Sequence, residues 1–181
     1  MKSFISTTLS SLLFVSVFFS FYSNTQAKTT EIVAIAKNVD QIPAFTLADL
    51  DGKRHQLDEW QGKIILLNFW ASWCAPCLHE IKDLVSYQQQ YANNNFQVLS
   101  IAVDDEKGIR KVKAELKINY PILLANVKLE SSLKLFAQWA NKKAHIPYSY
   151  VIDREGNIVF TYRGMFKQKH FDQHVLPLLK M

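Results

Sequence analysis

Two cysteines, three positions apart, constrain this 181-residue chain more than any other feature, because they are its only cysteines. A strand-like apolar run, Ile64–Trp70, leads towards them, and after Cys77 the apolar residues recur at helical spacing. A CxxC at a strand-to-helix junction is typical of a thiol–disulfide redox site. There the first thiol, Cys74, lies at a helix N-terminus, whose free N–H groups and dipole stabilise the thiolate that attacks disulfides.

Two other interpretations of the cysteine pair are weaker. A structural zinc site usually needs four ligands, whereas this chain has no third cysteine and a single close pair of histidines, His170 and His174, far along the sequence. A purely structural disulfide across a two-residue gap would close a very small loop and constrain the unfolded chain little. The pattern therefore favours redox activity.

Residues 1–27 predict an export signal. Lys2 supplies a positive charge, the apolar run at 4–22 carries no charge, and a polar stretch ends on the small residue Ala27. The alternative is an uncleaved membrane anchor, since such a run approaches the ~20 residues that span a bilayer. Its Ser and Thr residues favour cleavage. In both cases the domain is expected outside the cytoplasm, most simply in a periplasm.

We expect residues 28–42 to form a lead-in or tether, and residues 43–181 to form one domain with its own core. The formal net charge of +5 is spread along the chain, with a local basic run at 107–117. No nucleic-acid motif accompanies that run, so it predicts a solvated helix face and no nucleic-acid partner.

The pattern of the domain predicts an α/β fold with a mixed sheet. Segments 45–47 and 55–57 are predicted to be the two strands of a hairpin whose turn contains Asp51-Gly52. A second hairpin is predicted with its turn at Asp153–Gly156. Pro76 fits the first turn of the helix after the cysteines. Further strands are predicted at 64–70, 96–103, 120–124, 148–152 and 158–162. Helices are predicted up to Tyr91 and at 107–117, 130–139 and 169–179, with Pro177 ending or kinking the last one.

The motifs identify a family resemblance. The segment Asn68–Cys77 (NFWASWCAPC) and the later Ile146-Pro147, followed by a strand and Asp153–Asn157 (DREGN), resemble the exported TlpA/ResA-like thiol–disulfide oxidoreductases of the thioredoxin superfamily. The likeness covers about residues 43–179. It implies a thioredoxin fold, in which a mixed central sheet is flanked by helices, with an N-terminal hairpin and an inserted helix–strand segment at roughly 106–124.

The resemblance also implies roles for individual residues. Cys74 matches the attacking cysteine, Cys77 the resolving one, Pro147 the cis-proline that faces them, and Glu80 an acidic residue of the ResA-like active-site helix. Three neighbours of this group are expected to contact the client: Trp73, Pro76 and Ile146.

One departure from ordinary thioredoxin is informative. Thioredoxin has a buried Asp six residues before its first active cysteine, and here that position is Asn68, which cannot take up a proton. Glu80 lies one helical turn from Cys77, at the edge of the apolar face that Ile81 and Leu84 define. We expect it to be partly buried, with a raised pKa, and to handle protons in place of that Asp. The alternative is an exposed Glu that favours the helix dipole.

The expected function is that of an exported thiol–disulfide oxidoreductase that reduces the disulfides of exported clients, with no cofactor or metal and with a membrane thiol-transfer protein as electron donor. In this family the clients include apocytochrome c and copper-site assembly factors. His145, two residues before Pro147, stays open between a client contact and a simple loop residue.

Two rival functions use the same cysteines. A copper chaperone of the Sco type would bind Cu(I) through paired thiolates, but those proteins have a longer Cys–Cys gap and a distal His, for which His145 is the candidate. A peroxidase of the same superfamily would need a peroxidatic cysteine outside the CxxC, and the chain has none.

Overall fold

The computed structural model describes residues 43–125, 129–139, 141 and 143–181. The expected signal at 1–27 and the tether at 28–42 lie outside the described residues. All described residues belong to the compact unit Ile35–Met181. Within the described ranges, every helix is too short or too polar to cross a bilayer.

The described ranges contain seven strands and five α-helices. In chain order they are β1 (Thr46–Asp49), β2 (Arg54–Gln56), β3 (Ile64–Trp70), α1 (Ala75–Tyr91), β4 (Phe96–Ala102), α2 (Glu106–Glu115), β5 (Ile122–Leu124), α3 (Leu129–Gln138), β6 (Tyr148–Ile152), β7 (Ile158–Arg163), α4 (Gln168–His174) and α5 (Leu176–Leu179).

Every predicted element is present, and the main differences concern β5 and the final helix. β5 begins at Ile122, two residues later than predicted, and the final helix is divided at Val175 into α4 and α5. The division has the expected cause, because Pro177 lies in the first turn of α5 and cannot donate to a continuous helix.

The strands form one mixed sheet with the order β2-β1-β5-β4-β3-β6-β7. β3 lies parallel to β4 and antiparallel to β6, and β4 lies parallel to β5. The inserted α2–β5 segment therefore places its strand between β4 and the N-terminal hairpin. The predicted mixed sheet with a hairpin and an inserted helix–strand segment is confirmed.

The central strand β3 is buried along its whole length and separates two apolar layers. Leu66 and Trp70 face the layer that contains α1, whereas Leu67 and Phe69 face the layer that contains α3. Full burial of each large apolar side chain contributes about 1.5–3 kcal/mol. The strand is consequently a fixed support, and it ends four residues before Cys74.

Two features of the sequence explain helix α1: the residues at its N-terminus and the spacing of its apolar residues. Cys74 is the N-cap residue, and Pro76 lies in the first turn, where its missing N–H is not needed. Cys77, Ile81 and Leu84 recur every three or four residues and are fully buried against the sheet. Near the other end, Tyr87 stacks on a ring of α4, which fixes the helix against the chain's C-terminal part.

A buried histidine holds the N-terminal hairpin together. His55 is 8% exposed and stacks on Trp60. Its two ring nitrogens lie 2.8 Å from Glu59 Oε2 and 2.9 Å from Asp49 Oδ2. Burial alone would lower the pKa of His55, but the bonds to the two carboxylates outweigh it, and the pKa is raised above 6.5. The two carboxylates therefore favour the protonated form of the ring that lies between them.

We predict that His55→Gln destabilises the protein more at pH 6 than at pH 9. A raised folded-state pKa gives stability that is present below about 6.5 and is lost as pH rises through the folded value. The expected loss at pH 6 is about 1–3 kcal/mol, as for hydrogen bonds to charged groups. Urea unfolding at both pH values measures it, with the exposed His79→Gln as control. An equal loss at both pH values would show that His55 is neutral in the folded protein.

Candidate active site

The two cysteines form a disulfide, with 5.2 Å between their Cα atoms. Cys74 Sγ accepts a hydrogen bond from the Cys77 backbone N–H at 3.3 Å, which caps α1. Cys74 is 6% exposed and Cys77 is fully buried. Cys74 is thus slightly more exposed than Cys77, and both are largely buried in the disulfide state. Cys77 is buried because it lies one turn into α1, on the face against the sheet.

The surface beside the disulfide is apolar. Trp73 is 70% exposed, Pro76 is also exposed, and Ile146 is half-buried against the apolar layer that holds both cysteines. The Ile146–Pro147 bond is cis, as predicted. Gly164 N–H donates to Pro147 O at 2.9 Å, which ties the proline loop to the end of β7.

The sheet register brings the proline loop to the disulfide. Tyr148, which follows Pro147, pairs with Phe69 near the end of β3. The loop that precedes β6 and the loop that leads from β3 to Cys74 therefore lie at the same end of the sheet. This places the predicted residues Cys74, Pro147 and their neighbours around one site.

The loop before Cys74 is anchored from the neighbouring strand. Ser72 donates to Asp104 Oδ2 through both its backbone N–H, at 3.1 Å, and its hydroxyl. Asp104 follows β4, which runs parallel to β3, so its side chain reaches the adjacent loop. Gly108 in α2 packs so closely that a Cβ there would lie 2.5 Å from Ser72 Oγ. Sequence reasoning missed this anchor, although an Asp just after a parallel neighbouring strand was a usable signal.

Glu80 is buried far more completely than the sequence suggested, at 2% exposure. Oε1 accepts from Asn68 Nδ2 at 2.6 Å, and Oε2 accepts from Phe166 N–H at 2.6 Å. Asn68 Nδ2 also donates to Ser149 Oγ at 3.0 Å. The sequence could not assign Ser149 or Phe166 to this network, because strand pairing and the loop after β7 bring them in.

Burial raises the pKa of Glu80 to about 8, against the opposing effect of its bonds to Phe166 and Asn68. The charge of Asp83 raises it slightly further. Glu80 is therefore largely protonated at neutral pH, one helical turn from Cys77. Such a carboxyl can exchange a proton near the pKa of a thiol, which is about 8.5 when unperturbed.

His145 lies in the proline loop but is directed towards β7. Asn141, which is buried, accepts from the His145 backbone N–H at 3.0 Å and donates to its carbonyl at 2.7 Å. The His145 ring nitrogen Nε2 lies 3.2 Å from an Arg163 guanidinium nitrogen. Since a guanidinium only donates, Nε2 accepts here, beside a permanent positive charge.

A disulfide of this spacing, capping a helix that follows the central strand of a mixed sheet and lying beside a cis-proline loop, defines a thioredoxin-fold thiol–disulfide oxidoreductase. Residues 38–161 match the AhpC/TSA family, and the chain belongs to that family.

Known proteins agree with this class. The chain is 25% identical over 165 residues to the thiol-disulfide oxidoreductase ResA of Geobacillus thermodenitrificans, covering 91% of this chain and 88% of that protein. It is 29% identical over 136 residues to the thioredoxin-like protein YneN of Bacillus subtilis, covering 74% and 75%. The crystal structure of a thiol:disulfide interchange protein from Chlorobium tepidum superposes with a TM-score of 0.67, at 30% identity, over 77% of this chain and 95% of that one. The protein is thus an oxidoreductase of the ResA/DsbE type that acts on disulfide substrates.

We predict that Gly108→Ala loosens the loop before the disulfide. Gly to Ala inside a helix normally stabilises by about 1 kcal/mol, but here the new Cβ meets Ser72 Oγ at 2.5 Å. The melting temperature should fall, and hydrogen exchange should rise at Ser72 and Trp73. Ser72→Ala in the Gly108→Ala background removes the hydroxyl and should restore part of the loss. A melting temperature above that of the parent protein would show that the loop adjusts freely.

Proposed function

We propose that this oxidoreductase reduces disulfides in exported client proteins. The observation that carries the proposal is the buried carboxyl of Glu80, which is one turn from Cys77 and has a pKa raised to about 8 by burial. When charged, this group opposes a thiolate beside it, because like charges in a buried site repel strongly. The dithiol is then less stable relative to the disulfide, which makes the pair a better electron donor.

The proposed reaction is a two-step exchange. The Cys74 thiolate attacks one sulfur of a client disulfide, the client S–S bond breaks, and the released client thiolate takes a proton from solvent. The ionised form of Glu80 then takes the proton of Cys77, and the Cys77 thiolate attacks Cys74 Sγ. The mixed disulfide breaks, the second client sulfur leaves as a thiolate that takes a proton from solvent, and the Cys74–Cys77 disulfide remains. Two electrons pass to the client.

The two residues between the cysteines also favour reduction of the client over its oxidation. A strong oxidant such as DsbA has a first cysteine with a pKa of about 3.5 and a potential near −120 mV. Here the intervening residues are Ala75 and Pro76, neither of which can stabilise a thiolate by charge. Glu80 is a nearby acid, and the charge that it carries above about pH 8 acts against the thiolate.

The apolar surface suits an extended client segment. Trp73, Pro76 and Ile146 surround the disulfide with exposed or half-exposed apolar area. The backbone N–H and C=O of Ile146 make no hydrogen bond to another described residue. An extended client strand can pair with such free backbone groups, as in β-strand addition. We assign client contact to these three residues, with Pro147 positioning the backbone of Ile146.

The setting we infer is outside the cytoplasm. It is supported by the apolar run at 4–22 after Lys2, and by the resemblance to exported TlpA/ResA-like proteins. A membrane thiol-transfer protein would re-reduce the Cys74–Cys77 disulfide, and apocytochrome c or a copper-site assembly factor would be the client. The copper-chaperone alternative gains no support from the site, because His145 Nε2 lies beside the Arg163 cation, which repels a metal ion.

We predict a reduction potential for the Cys74–Cys77 pair nearer the thioredoxin value of about −270 mV than the DsbA value of about −120 mV. Equilibration in dithiothreitol buffers, followed by quantification of the disulfide, measures it. At pH 9, where Glu80 is charged, Glu80→Gln removes the opposing charge and should make the potential less negative than the wild-type value at that pH, whereas the exposed Glu155→Gln should leave it unchanged. A wild-type potential above about −180 mV, the value of protein disulfide isomerase, would favour an oxidase or isomerase instead.

We predict that the two cysteines have separable roles. Reduced Cys77→Ser should form a lasting mixed disulfide with a synthetic peptide closed by an internal disulfide, because the resolving thiol is missing. Cys74→Ser should form none under the same conditions, since Cys77 is buried. Mass spectrometry under non-reducing conditions distinguishes the two products. Stable adducts on Cys77 in the Cys74→Ser variant would reverse the assignment of the attacking cysteine.

A further inference from the structure

One buried acceptor in the active-site network has no partner among the described residues. Asn68 is fully buried, and its Nδ2 donates both to Glu80 Oε1 at 2.6 Å and to Ser149 Oγ at 3.0 Å. Its Oδ1 is also buried and makes no hydrogen bond with any described residue. Buried polar atoms are nearly always paired, so an unpaired one needs an explanation.

The hydrogen bonds around Glu80 suit its charged form better than its neutral form. Both carboxyl oxygens accept hydrogen bonds, which suits a carboxylate. When Glu80 is protonated, Oε1 is the favoured position of the proton, because Oε2 accepts from the Phe166 N–H, a backbone donor that cannot reverse, and a carbonyl oxygen accepts better than a hydroxyl oxygen. Among the described residues, Asn68 is the only group hydrogen-bonded to Oε1. With Nδ2 in its present position, an O–H directed at Asn68 would face a second donor across 2.6 Å.

We propose that Asn68 is a positioning residue whose side-chain amide reverses when Glu80 gains or loses its proton. Nδ2 donates to the carboxylate, and Oδ1 accepts from the carboxylic acid. A half-turn about the Cβ–Cγ bond of Asn68 exchanges the positions of Nδ2 and Oδ1. No other heavy atom has to move, because the two ends of the amide have nearly the same shape. The inference rests on the proposed function only in taking Glu80 as a group that exchanges protons. The reversal itself needs no client.

Ser149 can follow the reversal without moving its oxygen. Its hydroxyl accepts from Nδ2 in one state, and it donates to Oδ1 in the other, since a hydroxyl does both. Oδ1, with two lone pairs, then accepts from Ser149 and from the Glu80 acid together. The atom that is unpaired in the carboxylate state thus becomes the one with two partners, and Nδ2 takes the position that has no partner among the described residues.

At position 68 the side-chain amide of Asn suits both protonation states of Glu80. An Asp there would place a second carboxylate against Glu80, so that the two acids would share one proton. A Leu would leave the Glu80 carboxylate without one of its two donors. An amide of nearly the same shape offers a donor to the charged form and an acceptor to the neutral form, which lets Glu80 exchange a proton while staying buried.

The titration of Glu80 can be distinguished from that of the other ionisable groups around it. Asp83 lies on the same helix, Tyr120 faces Glu80 from the segment before β5 and has a raised pKa, and His170 in α4 follows Phe166 with a lowered pKa. In the oxidised protein Cys74 and Cys77 do not titrate. Near pH 8, the pKa of Glu80, the carboxyl is therefore the group of this cluster that changes state.

The test is NMR of the oxidised full chain with ¹⁵N-labelled Asn, titrated from pH 6 to pH 10. We expect the Asn68 side-chain NH₂ signals to shift with one midpoint near 8. We also expect the cross-relaxation between these NH₂ protons and the Ser149 Hβ protons to be strong above the midpoint and several-fold weaker below it. The Asn119 amide, which donates to Val85 O at the surface, is the internal control and should not shift.

Glu80→Gln provides the matched variant. The carbonyl of the introduced glutamine should accept from Phe166 N–H, and its NH₂ should face Asn68, which holds Asn68 in the acceptor orientation at every pH. The variant should therefore give the low-pH wild-type pattern throughout, with no midpoint. If the variant does not fold, the wild-type titration alone decides. Cross-relaxation of equal strength at pH 6 and pH 10 in the wild type would overturn the proposal and assign the Glu80 proton to another acceptor.

Discussion

The complete burial of β3 is the constraint on which the site depends. All seven residues of this strand are buried between two apolar layers, and it pairs along its length with β4 on one side and β6 on the other. The loop to Cys74 leaves its end, the β6 pairing brings Pro147 to that end, and Asp104 after β4 anchors the loop. A strand held on both faces and both edges gives the disulfide a fixed position.

Burial also shifts the pKa of the Glu80 carboxyl. In an apolar interior a lone carboxylate is strongly disfavoured, and the two donors that Glu80 finds, from Asn68 and Phe166, offset only part of that cost. The result is a pKa close to that of a thiol rather than that of an exposed acid. The polar side chains of Asn68 and Ser149 are paired neighbours on β3 and β6, and Asn68 donates to both Glu80 and Ser149.

The fold was predictable to a large degree because its signals are local. The apolar run of β3, the turn residues of the two hairpins and the proline at the start of α1 each act within a few residues of the chain. The shorter β5 shows the limit. Tyr120 and Pro121 continue the apolar pattern, but strand pairing with β4 starts at Ile122, and pairing depends on the neighbour.

The sequence by itself determined the redox pair, the helix that begins at Cys74, and the edge position of Glu80 on α1, because the spacing of residues along a strand or helix fixes these. Only the tertiary structure decided that Glu80 is fully buried, that Phe166 and Ser149 complete its network, and that Asp104 and Gly108 hold the loop before Cys74. Of these partners, Phe166 is separated from Glu80 by 86 residues along the chain. Such contacts follow from strand order and packing, which no local pattern records.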